Sequence, residues 1–220
     1  MASKAAPAIL QKTLTKQHLN FKDGRVYLWG NPCFIDPVLI QVYYSRLIQK
    51  KCGEKEANRI RYYTAKLQAL AGNKITNKRF GYAKTISDKK KLFLFNCGQA
   101  ELLGLGKFEW IRLDFDKELF VCNTISPFAE AYKNFYGIQN QAVDLWLMGS
   151  WAGALEYILG KKMFTVESSC IAKGDKYCQF ISRPIKRWEK NDSLYRHYRY
   201  ILDEVLHEEE LENFIARLIQ

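Results

Sequence analysis

The chain has 220 residues, of which 48% are hydrophobic and 14% aromatic, and a formal net charge of +11. That length fits one large domain with a small appendage, and the aromatic content excludes a mainly disordered chain. No apolar run reaches the roughly 18 residues of a membrane-spanning helix, and the basic stretch 1–17 lacks the apolar core of a secretory signal.

An excess of positive charge can favour nucleic acid or an anionic surface. Here the basic residues are scattered, over Lys50, Lys51, Arg59, Arg61, Lys74, Lys78 and the run Lys89 to Lys91. No recognised nucleic-acid motif accompanies them, so they read as a solvated surface. Six cysteines stand at positions 33, 52, 97, 122, 170 and 178. Without a secretory signal they read as cytoplasmic thiols packed as small hydrophobes, not as a disulfide framework.

Residues 1–19 read as a flexible tail, 20–186 as the main domain and 187–220 as a helical C-terminal extension. The segment GRVYLWG (24–30) predicts a strand bounded by glycines. Asp36-Pro37 then predicts a helix start, with Val38, Val42, Tyr43 and Leu47 near one face and a stop at Gly53. A second helix follows over 54–71 and stops at Gly72, and the lysine-rich stretch 73–91 reads as a loop or weak helix. Strand-like runs occupy 92–96, 108–113 and 118–123, the last two joined by a turn through Asp114, Asp116 and Lys117. Ser126-Pro127 opens a short helix that ends near Gly137. The longest apolar helix covers 141–159, with a stripe of Leu145, Met148, Ala152, Leu155 and Leu159. Gly149 and Gly153 lie one turn apart in it, spacing that suits close approach of another backbone. Strands at 163–169 and 176–182 flank Ala172 to Asp175. The sum is an α+β fold, an antiparallel sheet packed with helices and followed by a helical tail.

The segment from Glu167 to Cys178 carries the candidate chemistry. A hairpin centred on Gly174 sets Cys170 opposite Cys178, with Cβ atoms about 4.5–5.5 Å apart. Two thiolates so placed suit one tetrahedral zinc, to which Glu167 adds an oxygen. A regular strand puts Glu167 and Cys170 on opposite faces, so their convergence needs a bulge or bend. Two core thiols and a cross-strand disulfide are the other readings of the same spacing.

The pattern Asp144-Leu-Trp-Leu-Met-Gly149-Ser-Trp-Ala-Gly153, Gly160, Glu167-x-x-Cys170, Gly174-Asp175-x-x-Cys178 resembles the signature of the 4-vinyl-reductase domain family. That family includes the sensory domains of phenol- and xylene-responsive activators, and its fold is shared with the TRAPP vesicle-tethering subunits. The resemblance covers roughly residues 20–183 and is specific over the last sixty of them. It implies a zinc held by three cysteines and a glutamate. Glu167, Cys170 and Cys178 match three of those positions, and Asp144 stands where the remaining cysteine falls. It also implies a ligand cavity lined here by Val121, Asn123, Met148 and Thr165. Asn123 takes the place of a phenol-gripping tryptophan, and no histidine falls near the second gripping position.

These readings favour a non-catalytic small-molecule-binding or sensory module with an apolar pocket and a structural zinc site. Its expected ligand is an apolar or aromatic small molecule, and the resemblance implies a homodimer. An assembly scaffold in contact with a protein partner is the alternative, and a tetrapyrrole-pathway accessory protein or a nucleic-acid binder stands further off. An enzyme is suggested only by the family name, and the reading is that the chain is not one. Gly104-Leu-Gly106 is too short for a dinucleotide fingerprint, and no nucleophile–base arrangement is present in the sequence pattern.

Overall fold

The computed structural model describes residues 19–22, 25–28, 31–33, 36–80 and 85–203, together with Asn213. Residues 1–18 of the predicted tail and, apart from Asn213, the extension beyond 203 therefore lie outside the described residues, while Leu19 opens a strand. The GRVYLWG segment supplies β2 (Arg25–Leu28), the middle strand of an antiparallel meander with β1 (Leu19–Lys22) and β3 (Asn31–Cys33).

Three helices follow. Helix α1 (Val38–Cys52) starts one residue later than Asp36-Pro37 predicts, with Pro37 at its N-cap and the Asp36 carboxylate accepting from Gln41 Nε2. Of its predicted apolar face only Val42 is buried, beside Ser45. Helix α2 (Glu54–Phe80) runs straight through Gly72. Glycine ends a helix when it takes a left-handed conformation. Gly53 and Gly160 have positive φ, whereas Gly72 does not. Beyond it, Asn73 Nδ2 donates to Ala69 O and Thr76 Oγ1 to Gly72 O, which keeps the turns closed.

Helix α3 (Ile86–Leu102) overturns the strand expected at 92–96. A capping box between Thr85 and Asp88 starts it. Leu92, Phe93 and Cys97 are buried while Leu94 is exposed, which is helical spacing and not alternation. The lysine-rich segment is thus the end of one helix and the start of the next.

The central sheet has the order β4-β5-β7-β6 and is antiparallel throughout, so the α+β expectation holds. Strands β4 (Phe108–Asp114) and β5 (Leu119–Thr124) fall within one residue of the strand-like runs at 108–113 and 118–123. Helix α4 (Pro127–Tyr136) is capped by Ser126, whose hydroxyl accepts from Ala129 N. Helix α5 (Leu145–Leu159) begins at the Asp144 cap, four residues after the predicted start. Strands β6 (Met163–Ser169) and β7 (Cys178–Pro184) close the sheet, and the short α6 (Ser193–Tyr198) follows.

Helix α5 is sandwiched between α2 and the sheet. A Cβ added at Gly149 would run into Tyr62 O, and one at Gly153 into Lys66 O, so the two helix backbones touch there. On the sheet side Trp151 packs against Phe93, Phe108 and Trp110, with ring centroids 5.9, 4.8 and 5.1 Å away. The outer edge of β6 is covered by side chains that satisfy its backbone. Trp188 Nε1 donates to Phe164 O and Tyr198 OH to Glu167 O, both at 3.3 Å. Thr165 N donates to Tyr62 OH at 3.5 Å. Edge groups protected in this way cannot recruit another strand.

Candidate functional site

The β6–β7 register explains how the cluster forms. Glu167 pairs with Phe180, but Ser169 pairs with Gln179, so Ser168 is an extra residue. This is the bulge that the spacing of Glu167 and Cys170 required. Beyond it the pairing centres on Gly174, as predicted, and brings Cys170 and Cys178 across from one another. A short 3-10 turn (Ile171–Lys173) and left-handed Gly174 make the connection, with φ of 99° at the glycine. Cys170 N donates to the Asp175 carboxylate at 2.7 Å and fixes the turn from outside.

Glu167, Cys170 and Cys178 are all buried, and one ligand atom from each lies within 4.8 Å of the others. The two sulfurs are 3.9 Å apart and the thiols are free. A tetrahedral zinc with Zn–S bonds of about 2.3 Å separates two sulfurs by roughly 3.8 Å. Glu167 Oε2 accepts from Asp144 N at 3.0 Å, while Oε1 is buried with no partner. A buried acceptor left alone costs about 1–3 kcal/mol. One oxygen of this carboxylate lies within 4.8 Å of both sulfurs, and a buried carboxylate with spare acceptor capacity beside two thiols suits a bare cation. The donor set and its spacing therefore fit zinc.

Backbone groups complete the setting. Ile171 N donates to Cys178 Sγ at 3.4 Å, and the backbone of Val143 and Ala172 lies where it favours a charged Cys170 sulfur. The hydrogen bond from Cys178 lowers the Cys170 thiol to about 6. The same bond, with burial and the Glu167 charge, pushes Cys178 up. Burial, then the charges of Cys170 and Asp144, hold the Glu167 carboxyl well above the usual carboxylate range. Three buried acidic groups thus resist ionising together, the conflict that a divalent cation removes.

Asp144 sits beside this cluster and outside the group of three. Its Oδ1 accepts from Leu147 N at 3.0 Å as the cap of α5, and its Oδ2 accepts from Ser126 Oγ. Burial raises its carboxyl, against the pull of those two donors. Its contact with the cluster is through the backbone N–H that grips Glu167.

The four residues expected to line a ligand cavity do not converge. Register partners share a face, and neighbours along a strand alternate. Thr165 and Phe120 both pair with Ser182, so Thr165 lies on the helix-covered face, where its hydroxyl meets Ser182 Oγ at 2.7 Å. Val121 and Asn123 face the other way, paired with Ile181 and Gln179, and Asn123 Oδ1 accepts from Gln179 Nε2 at 3.0 Å. Met148 is fully buried on α5. A single cavity cannot be lined from both sides of one sheet, and the expectation is corrected on that ground. The sequence also missed the Val143, Ile171 and Ala172 backbone groups, which side-chain type does not encode. It missed too a cleft of about 190 Å³ among α2, α3 and α5, lined by Asn77, Lys89, Leu92, Tyr157 and Ile158.

No protein-family model matches the chain. Over 89 residues, 39% of its length, it is 31% identical to the phenol regulator MopR of Acinetobacter guillouiae, and it spans 16% of that protein. It superposes on the phenol-responsive sensory domain of the transcription activator PoxR, solved with phenol, with a TM-score of 0.73 and 13% identity, covering 90% of this chain and 98% of that one. A vinyl-4-reductase family protein from Methanocaldococcus jannaschii gives a TM-score of 0.43 at 16% identity, over 83% of this chain and 96% of that one. The chain has the α+β fold of the phenol-responsive sensory domain, and the resemblance read from the sequence stands at the level of the fold. Among the described residues no helix is long and apolar enough to cross a membrane.

Proposed function

We infer that this chain is a non-catalytic, small-molecule-binding regulatory module whose β6–β7 hairpin is pinned by a structural zinc. The observation that carries the reading is the buried Glu167–Cys170–Cys178 cluster, set in a fold like that of a phenol-responsive sensory domain. Glu167, Cys170 and Cys178 would hold the metal, and Asp144 takes the fourth position of the family pattern. Zinc there supplies a cross-link and charge neutralisation between the hairpin and the start of α5. The 31% identical segment shared with the phenol regulator supports a small aromatic ligand. A cytoplasmic setting suits free thiols at such a site.

Thermal denaturation against a panel of small phenols, benzoates and fatty acids tests the binding role. A ligand at a hundred times its Kd stabilises by about 2.7 kcal/mol, or roughly 5–10 °C for a chain of this size. The absence of any shift across the panel would refute it.

One observation favours a second reading, assembly with a second copy or a protein partner. On α1, Val38, Leu39, Ile40, Tyr43, Tyr44 and Leu47 are between 36% and 55% exposed. So many large apolar groups on one short helix mark a contact surface. Sedimentation of the wild type and of Tyr43→Glu distinguishes the two: a monomer in both cases removes the homodimer.

A further inference from the structure

The segment that follows the sheet lies against the strand that carries Glu167. Trp188 and Tyr195 stack with ring centroids 6.0 Å apart, and both meet Phe164 of β6 edge-on, at 6.2 and 6.0 Å. Past α6, Tyr200 holds α2 twice. Its hydroxyl accepts from Asn58 Nδ2 at 2.8 Å and its carbonyl from Arg59 Nε at 3.0 Å. Ile201, next in the chain, is fully buried. Tyr198 falls between these two anchors, buried, with its hydroxyl on Glu167 O at 3.3 Å. It is near enough to the cluster for the charges of Glu167 and Cys170 to add to burial in pushing its phenol up.

That carbonyl belongs to the part of β6 whose shape the cluster most needs. The extra residue Ser168 is what lets Glu167 and Cys170 converge, and a bulged residue is left out of the ladder. The shape there depends on contacts other than strand pairing. Some come from the hairpin itself: Ser168 Oγ donates to Gln179 Oε1 at 2.8 Å and Ser169 Oγ to Tyr177 O at 3.0 Å. Two reach Glu167 from other elements. Asp144 N donates to its carboxylate, and Tyr198 OH donates to its carbonyl. The ligand residue is thus held at its head by the start of α5 and at its backbone by the C-terminal segment.

We propose that Tyr198 is a positioning residue of the metal site, and that through its bond to Glu167 O the docking of residues 188–202 and the binding of zinc strengthen one another. The proposal rests on the reading of Glu167, Cys170 and Cys178 as a zinc site. Groups outside the ligand set orient the ligands, and their loss weakens the metal. The coupling is reciprocal, so whatever factor the docked segment adds to zinc affinity, zinc adds to docking.

Competition with a chromophoric chelator measures the zinc affinity of the whole chain. Cobalt(II) put in place of zinc reports ligand geometry through its visible absorption. Tyr198→Phe, shown to be folded by circular dichroism, should bind zinc roughly two- to tenfold more weakly, the size of one neutral hydrogen bond. It should also shift the cobalt bands, which a loss of packing alone does not move. Zinc should slow hydrogen exchange at the amides of 193–202 in the wild type by more than at those of α3, and Tyr198→Phe should lose that difference. If the wild type binds zinc and Tyr198→Phe matches it in affinity, cobalt spectrum and exchange, Tyr198 only packs the edge of β6, and the proposal is overturned while the zinc site stands. If the wild type binds neither zinc nor cobalt, the site and the proposal fall together.

Discussion

Alanine placed at two glycines of the same helical type should move stability in opposite directions. Gly72 lies in the exposed middle of α2, and a Cβ built on it meets nothing within 4 Å. Alanine there should stabilise by about 0.5–1 kcal/mol, the difference in helix propensity. Gly149 has the same propensity to gain, but its Cβ would press on Tyr62 O and lie 2.9 Å from Tyr62 C and 3.1 Å from Ala65 Cβ. The obstacle is backbone, which no rotamer change can clear, so α2 and α5 must separate. Overpacking of this kind costs roughly 1–3 kcal/mol and sometimes more. Because α5 also packs on the sheet, the separation loosens Trp151 against Phe108 and Trp110. The net expectation for Gly149→Ala is a loss of about 1–3 kcal/mol, or roughly 2–12 °C in Tm for a chain of this length. Urea denaturation of both variants, with midpoints and slopes compared, measures the pair. Equal stabilisation by both would refute the close helix contact.

Three other outcomes are expected. Asp144→Ala removes the cap of α5 and should cost about 1 kcal/mol, whereas Asp144→Asn should keep most of that stability. Retention of zinc by folded Asp144→Asn places its role in the backbone N–H, and loss of zinc makes the carboxylate a ligand. Exposure to a strong chelator should lower the Tm of the wild type and leave that of Cys170→Ser unchanged, as a thermal scan will report. Tyr198→Phe deletes the donor to Glu167 O and should destabilise by about 0.5–1.5 kcal/mol in urea.

What the sequence made legible was local. The Asp114–Lys117 turn and the helix start at Ser126 depend on neighbours a few residues apart. The hairpin centred on Gly174, its bulge and the meeting of Cys170 with Cys178 were readable for the same reason. The run Leu92 to Asn96 was not, since five apolar-rich residues satisfy either period. The capping box at Thr85 and Asp88 lies outside that window and decides for helix. Gly72 looked like a stop because the contacts of Asn73 with Asn96 on α3 are tertiary. The cavity residues failed for a geometric reason. Likeness along a strand does not reveal which face a residue takes, and Val121 and Thr165 take opposite ones.

The central claim is the metal-pinned hairpin, and native mass spectrometry of the purified chain tests it most directly. The account predicts one zinc per chain, lost on denaturation and absent from folded Cys170→Ser. A metal-free wild type in which Cys170 and Cys178 remain free thiols after incubation with zinc would contradict it and leave Glu167, Cys170 and Cys178 as core residues.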